Sequence, residues 1–188
     1  MSSPNNADLP AHSNDVEEEL RRVRLALDTV YAATTTTTTT RDDSSWFQQR
    51  QLADRYLTSF QTTAMAWMVC DRLLVQQQQS ESPHDPQRRF FAAQTLHRKC
   101  RTDVHELPVE SLPSLRDSLL QHYQNSIGYV ALTTRLAMTL AALSIQMGWT
   151  TVVTDVMGAY RHGTPEQRTL LLSLMLLSLE NLCAQIFK

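Results

Sequence analysis

Residues Arg88–Pro108 read "RRFFAAQTLHRKCRTDVHELP", and the spacing of their apolar side chains decides the fold. Ala93, Leu96, Cys100, Val104 and Leu107 recur at steps of three and four, the period of one face of an α-helix. Just ahead stand Asp85, a good N-cap, and Pro86 at the first helical position, where a missing N–H has no partner to lose. "HELP" at 105–108 ends the helix. The same stretch carries Arg88, Arg89, Arg98, Lys99 and Arg101, five of the 17 Lys and Arg residues of the chain. One strip must pack against neighbours, and the other is offered to water or to a partner.

The pattern continues in both directions. Upstream, "DVEEELRRVRLALDTVY" opens with acids, continues with arginines and aligns Val16, Leu20, Val23, Leu27 and Val30, with Asn14 and Glu17 at capping-box spacing. Residues 1–13 are polar, contain proline and are expected to be disordered, so that order begins at Asn14. The low-complexity threonine tract and the polar residues after it, 34–45, are expected to be a loop. Ser45 with Gln48 then caps a second helix lined by Ala53, Leu57 and Phe60, and "TAMAWMVCDRLLVQQQQ" supplies a third. Downstream, "SLRDSLLQHYQN" turns Leu115, Leu119 and Tyr123 inward, and "VALTTRLAMTLAALSIQM" is closed by Gly148. "WTTVVTDVMGAYRHG" makes a seventh helix, and Thr164, Pro165 and Gln167 announce an eighth. The expectation is an all-α chain of four helix pairs starting near residues 14, 62, 111 and 149, a period of roughly 40 to 47 residues, in the range of HEAT-like repeats.

Composition agrees and excludes much else. Apolar residues make up 42% of 188, enough for a sizeable core, while four glycines are too few for a turn-rich β-architecture or a glycine-built phosphate loop. The net charge of −2 argues against general nucleic-acid binding. Cys70, Cys100 and Cys183, odd in number and far apart on apolar segments, read as reduced, inert core thiols. The amino terminus has no basic n-region followed by an apolar h-region, which points to the cytosol or nucleus. The run Leu170–Leu179, apolar but for Ser173 and Ser178, is about half of the ~20 residues that a span requires, so a buried helix is expected rather than a membrane anchor.

No motif for phosphate, dinucleotide, zinc or serine-hydrolase chemistry occurs, and neither an enzyme nor a cofactor is expected. His97, Cys100 and His105 come nearest to a metal set, but position 100 belongs to the core strip and the two histidines leave no four-ligand site. Trp46, Trp67 and Trp149 read as packing anchors.

"FFAAQTLHRKCRTDVHELP", "SLRDSLLQHYQN" and "LTTRLAMTLAALSIQM", with the earlier "ADRYLTSFQTTAMAWMVCDRLL", resemble the amino-terminal region of the importin-β superfamily, most nearly its transportin-SR branch. The resemblance covers about residues 14–165. It implies an α-solenoid of which this chain is the amino-terminal part, with first repeats that grip Ran in its GTP form, and a receptor that carries protein cargo such as SR-type splicing factors. It further implies contact with nucleoporins, shuttling between nucleus and cytoplasm, and no direct role for nucleic acid or membrane. Because family members are several times longer, the end at Lys188 is expected to fall inside the fourth repeat. In such an array the second helix of each pair lines the concave surface. Gln94, Arg98 and Lys99, with Arg50 and Asp54 on the second helix and Arg135 on the sixth, then become the candidates for contacting Ran. The other reading is a HEAT scaffold without Ran-dependent transport.

Overall fold

The computed structural model describes residues 9–31, 43–75, 85–126, 128–159 and, beyond these, 164, 165, 169, 172, 173 and 176. Among the described residues there is no strand, and the chain is all-α: α1 (Leu9–Tyr31), α2 (Asp43–Phe60), α3 (Met65–Val75), α4 (Asp85–Thr102), α5 (Leu112–Gln124), α6 (Val130–Met147) and α7 (Val152–Ala159). Short 3₁₀ turns at Val104–Glu106 and Val109–Ser111 join α4 to α5. The chain divides into two compact units, Met1–Arg88 and Arg89–Lys188, with the division inside α4.

In the first unit α1 packs on both α2 and α3. Val16, Leu20, Val23 and Leu27 are all buried, as their three- and four-residue spacing requires, and they meet a core that includes Leu57, Phe60, Trp67, Cys70, Leu73 and Leu74. Polar clasps frame this core. The Tyr56 hydroxyl donates to Glu19 Oε1 at 2.8 Å, and burial followed by that bond raises the phenol's pKa above its ordinary value. Arg88 donates from Nη2 to both oxygens of Asp28, at 2.7 and 2.6 Å, and from Nη1 to Asp85 at 2.9 Å, tying the end of α1 to the start of α4.

In the second unit α5 and α6 form a hairpin around the joint 125–129. Ser126 and Thr133 hold the joint closed, the serine hydroxyl donating to Tyr123 O at 2.7 Å and the threonine hydroxyl to Ser126 O at 2.8 Å. Helix α6 is long and apolar enough to cross a membrane, but more than half of it is buried inside the protein, so a core position accounts for its composition. It ends at Gly148, whose φ of 62° is left-handed. There Gly148 N–H donates to Ile145 O and Trp149 N–H to Ser144 O at 2.8 Å, the paired bonds of a Schellman cap. The Trp149 indole then donates to Asp155 Oδ2 at 2.7 Å across the start of α7.

Three side chains of α6 fix its relation to α4. Arg135 meets Phe90 and His97, Thr139 Oγ1 lies 3.5 Å from Ala93 O, and Gln146 Nε2 donates to Arg101 O at 3.3 Å. Position advances along both helices together, so the two run parallel. Second helices of successive pairs in a HEAT-like stack do this, and the packing of α5 on α7 is the matching contact between first helices.

Two boundaries differ from expectation. Helix α1 begins at Leu9 rather than Asn14, because Pro10 lies in a first turn whose N–H groups have no acceptor in any case, so it does not delay the start. Helix α2 begins at Asp43, two residues before Ser45, so the loop expected over 34–45 gives up its last residues to the helix. The threonine tract, the glutamine run and most of the expected eighth helix lie outside the described residues. Of that helix, Thr169 Oγ1 donates to Pro165 O at 2.9 Å and Ser173 Oγ to Thr169 O at 2.8 Å, both at helical spacing.

Candidate functional site

Helix α4 sorts its side chains as its spacing demands. Ala92, Ala93, Leu96 and Cys100 are buried, whereas Gln94, Arg98 and Arg101, stepped by four and three, are exposed on one stripe. The five basic residues do not form a single strip, however. Arg88 is held by Asp28 and Asp85, and the Arg89 guanidinium lies 5.5 Å from the centre of the Tyr129 ring in an otherwise buried position.

Lys99 corrects the expectation most sharply. Expected among the partner-facing residues, it is fully buried, its ammonium 3.3 Å from Asp103 Oδ2 and 2.9 Å from Glu106 Oε2. The 3₁₀ turn after α4 brings Glu106 back over the lysine, and the two carboxylates satisfy a charge that burial would otherwise forbid. Asp103 and Glu106 stand four and seven residues beyond Lys99, so the signal was present in the spacing. Lys99 offers nothing to a partner.

The other candidates lie at the surface in two groups. On α2, Arg50 and Asp54 are exposed one turn apart, with the Arg50 guanidinium 5.5 Å from the Trp46 ring centre. On α4 and α6, Gln94 and Arg98 are exposed, while Arg135 is partly covered and lies over the Phe90 ring at 5.6 Å.

His97 was not among the candidates, yet it organises the second group. Arg135 Nη1 lies 3.5 Å from His97 Nδ1. A guanidinium can only donate, so Nδ1 must accept and the imidazole proton sits on Nε2. Nε2 is buried without a hydrogen-bond partner. Burial, then Arg135, then Arg101 push the imidazole pKa down to about 4, and the ring is neutral at physiological pH. The nearby Cys100 thiol is buried, and desolvation pushes its pKa up to about 12, which leaves it unreactive. His105 is exposed, and among the described residues His97, Cys100 and His105 form no metal-ligating cluster.

Residues 53–125, from the middle of α2 through α5, match the family described as the Importin-beta N-terminal domain. Over 148 residues, 78% of this chain, the sequence is 33% identical to an uncharacterized protein of Schizosaccharomyces pombe. Over 98 residues, 50% of this chain, it is 34% identical to the transportin MOS14 of Arabidopsis thaliana. The aligned stretches amount to 14% and 10% of those two proteins.

Proposed function

Because the chain belongs to the importin-β superfamily, a family of nuclear transport receptors and not of enzymes, we propose that it supplies the amino-terminal, Ran-GTP-binding repeats of a transportin-like import receptor. The observation that carries this reading is the match over 53–125, which includes Asp54, Gln94 and Arg98, while Arg50 and Arg135 lie on either side of it. Parallel second helices present Gln94 and Arg98 from α4 and Arg135 from α6 at one face of the second unit. Arg50 and Asp54 add a polar pair on α2. Protein cargo, SR-rich splicing factors among it, would be carried by the receptor as a whole, which would pass the pore on nucleoporins and move between cytoplasm and nucleus.

The test is capture of the chain by Ran loaded with GTP or with GDP. A preference for the GTP form, weakened by Arg98→Ala and Arg135→Ala, is the expected result. Indifference to the nucleotide overturns the proposal and leaves a helical scaffold without Ran-dependent transport.

A further inference from the structure

Carboxylates are unevenly shared among the cations of the second unit. Asp103 and Glu106 both serve Lys99, Asp117 serves Arg116, and Asp155 accepts from Trp149 and Thr151. Among the described residues no ion pair reaches Arg98, Arg101 or Arg135, although Arg98 contributes to the field at Asp103. Two of these arginines, Arg135 and Arg101, act on one side chain. His97 lies on the same α4 face as Arg101, one turn before it, is next to Arg98 in sequence, and accepts from Arg135.

Cations gathered at this density repel one another, and most proteins disperse or neutralise them. Here the one titratable group among them is kept uncharged, so the repulsion is limited to the guanidiniums themselves. Arg135 is doubly held, by the face of Phe90 and by His97, and so loses less side-chain entropy when it meets an anion. Guanidinium forks match carboxylates in a bidentate manner. A nucleic acid would call for a longer basic track with free aromatic faces, but Phe90 is already covered by Arg135 and the chain carries a net charge of −2.

We propose that Arg98, Arg101 and Arg135, arranged around His97, form a docking site for a carboxylate-rich segment of a partner protein, with His97 as the positioning residue for Arg135. The site shares Arg98 and Arg135 with the proposed Ran-facing residues, but its occupancy requires no nucleotide-bound partner, and Arg101 belongs to it alone.

The test is a titration of the full chain with a fluorescein-labelled octaglutamate peptide, followed by anisotropy in low and high salt, with oligothymidylate as the competing polyanion. Saturable, salt-sensitive binding of the peptide is expected. Arg101→Glu and Arg135→Ala should each weaken it roughly tenfold or more, and Arg21→Ala, at an exposed position of α1, should leave it unchanged. His97→Phe should weaken it severalfold, whereas His97→Gln, which keeps an acceptor, should restore it. Arg98→Glu and Arg101→Glu change exposed side chains, so their effect can be read even if His97→Phe fails to fold. Binding that ignores Arg101→Glu, or an oligothymidylate affinity equal to that of the peptide, overturns the proposal. Ran capture run in parallel separates the two readings, because peptide docking can survive loss of nucleotide preference and the reverse.

Discussion

The Lys99 ammonium lies 2.9 Å from Glu106 Oε2 although no part of the lysine reaches solvent. Removing an acid and removing the lysine should therefore differ. Glu106→Ala leaves a buried cation with Asp103 alone and should cost about 2–3 kcal/mol. Lys99→Met keeps the volume and releases two partly exposed acids to water, so its cost should be about 1 kcal/mol or less. Urea denaturation of both variants checks the difference, and equal losses would mean that the charge pair is not what holds the turn.

Leu96 and Arg98 stand two positions apart on opposite sides of α4. Leu96 is buried, and Leu96→Asp should destabilise the chain by several kcal/mol, roughly 3–5, through an unpaired buried charge. Arg98 is exposed, and Arg98→Ala should cost about 0.5 kcal/mol. Melting temperatures compare the two directly.

Acid should act through His97. Its folded pKa of about 4 lies below the 6.5 of a free imidazole, so between these values the unfolded chain binds a proton that the folded chain refuses. Stability is unaffected above pH 6.5 and falls as pH drops through 6.5 towards 4, by an amount on the order of 2 kcal/mol once solvent screening is allowed for. His97→Gln should lose less than the wild type over that interval. Identical acid losses in the two would assign the sensitivity to another group.

Arg88 closes the first unit by gripping Asp28 from Nε and Nη2, leaving Nη1 for Asp85. Arg88→Ala should cost about 2–3 kcal/mol, and Asp28→Asn less, because Asp85 still holds the guanidinium. Thermal unfolding of the two single variants and the double variant yields the coupling, which should exceed about 1 kcal/mol.

Cys70 and Cys100 should resist iodoacetamide in the native protein and react after denaturation, because both are buried and the Cys100 thiolate is strongly disfavoured. Mass-spectrometric mapping of the alkylated peptides reads each site separately.

Helical period made the architecture legible. The buried set of α1 and α4 follows from the three- and four-residue spacing of Val16, Leu20, Leu96 and Cys100, and Gly148 marked its left-handed cap. The surface was less legible, because the fate of a charged side chain depends on which acid the tertiary fold delivers. Asp28 reaches Arg88 across 60 residues, and nothing local announces it. The role of His97 is hidden for the same reason: it depends on Arg135, which lies 38 residues further on. Lys99 is the opposite case, since both of its acids follow within seven residues of it.

The contacts between α4 and α6 bridge 38, 45 and 46 residues, about the length of one helix pair. On a ribosome that spacing becomes a delay. At roughly 5–20 residues per second, α4 waits about 2–9 s after its own synthesis before Thr139 exists to meet Ala93. During that interval the face bearing Ala93 and His97 is bare, and the nascent chain depends on its earlier helices or on chaperones to keep it from sticking elsewhere. Maturation of such a protein proceeds pair by pair, with each new pair covering the one before it.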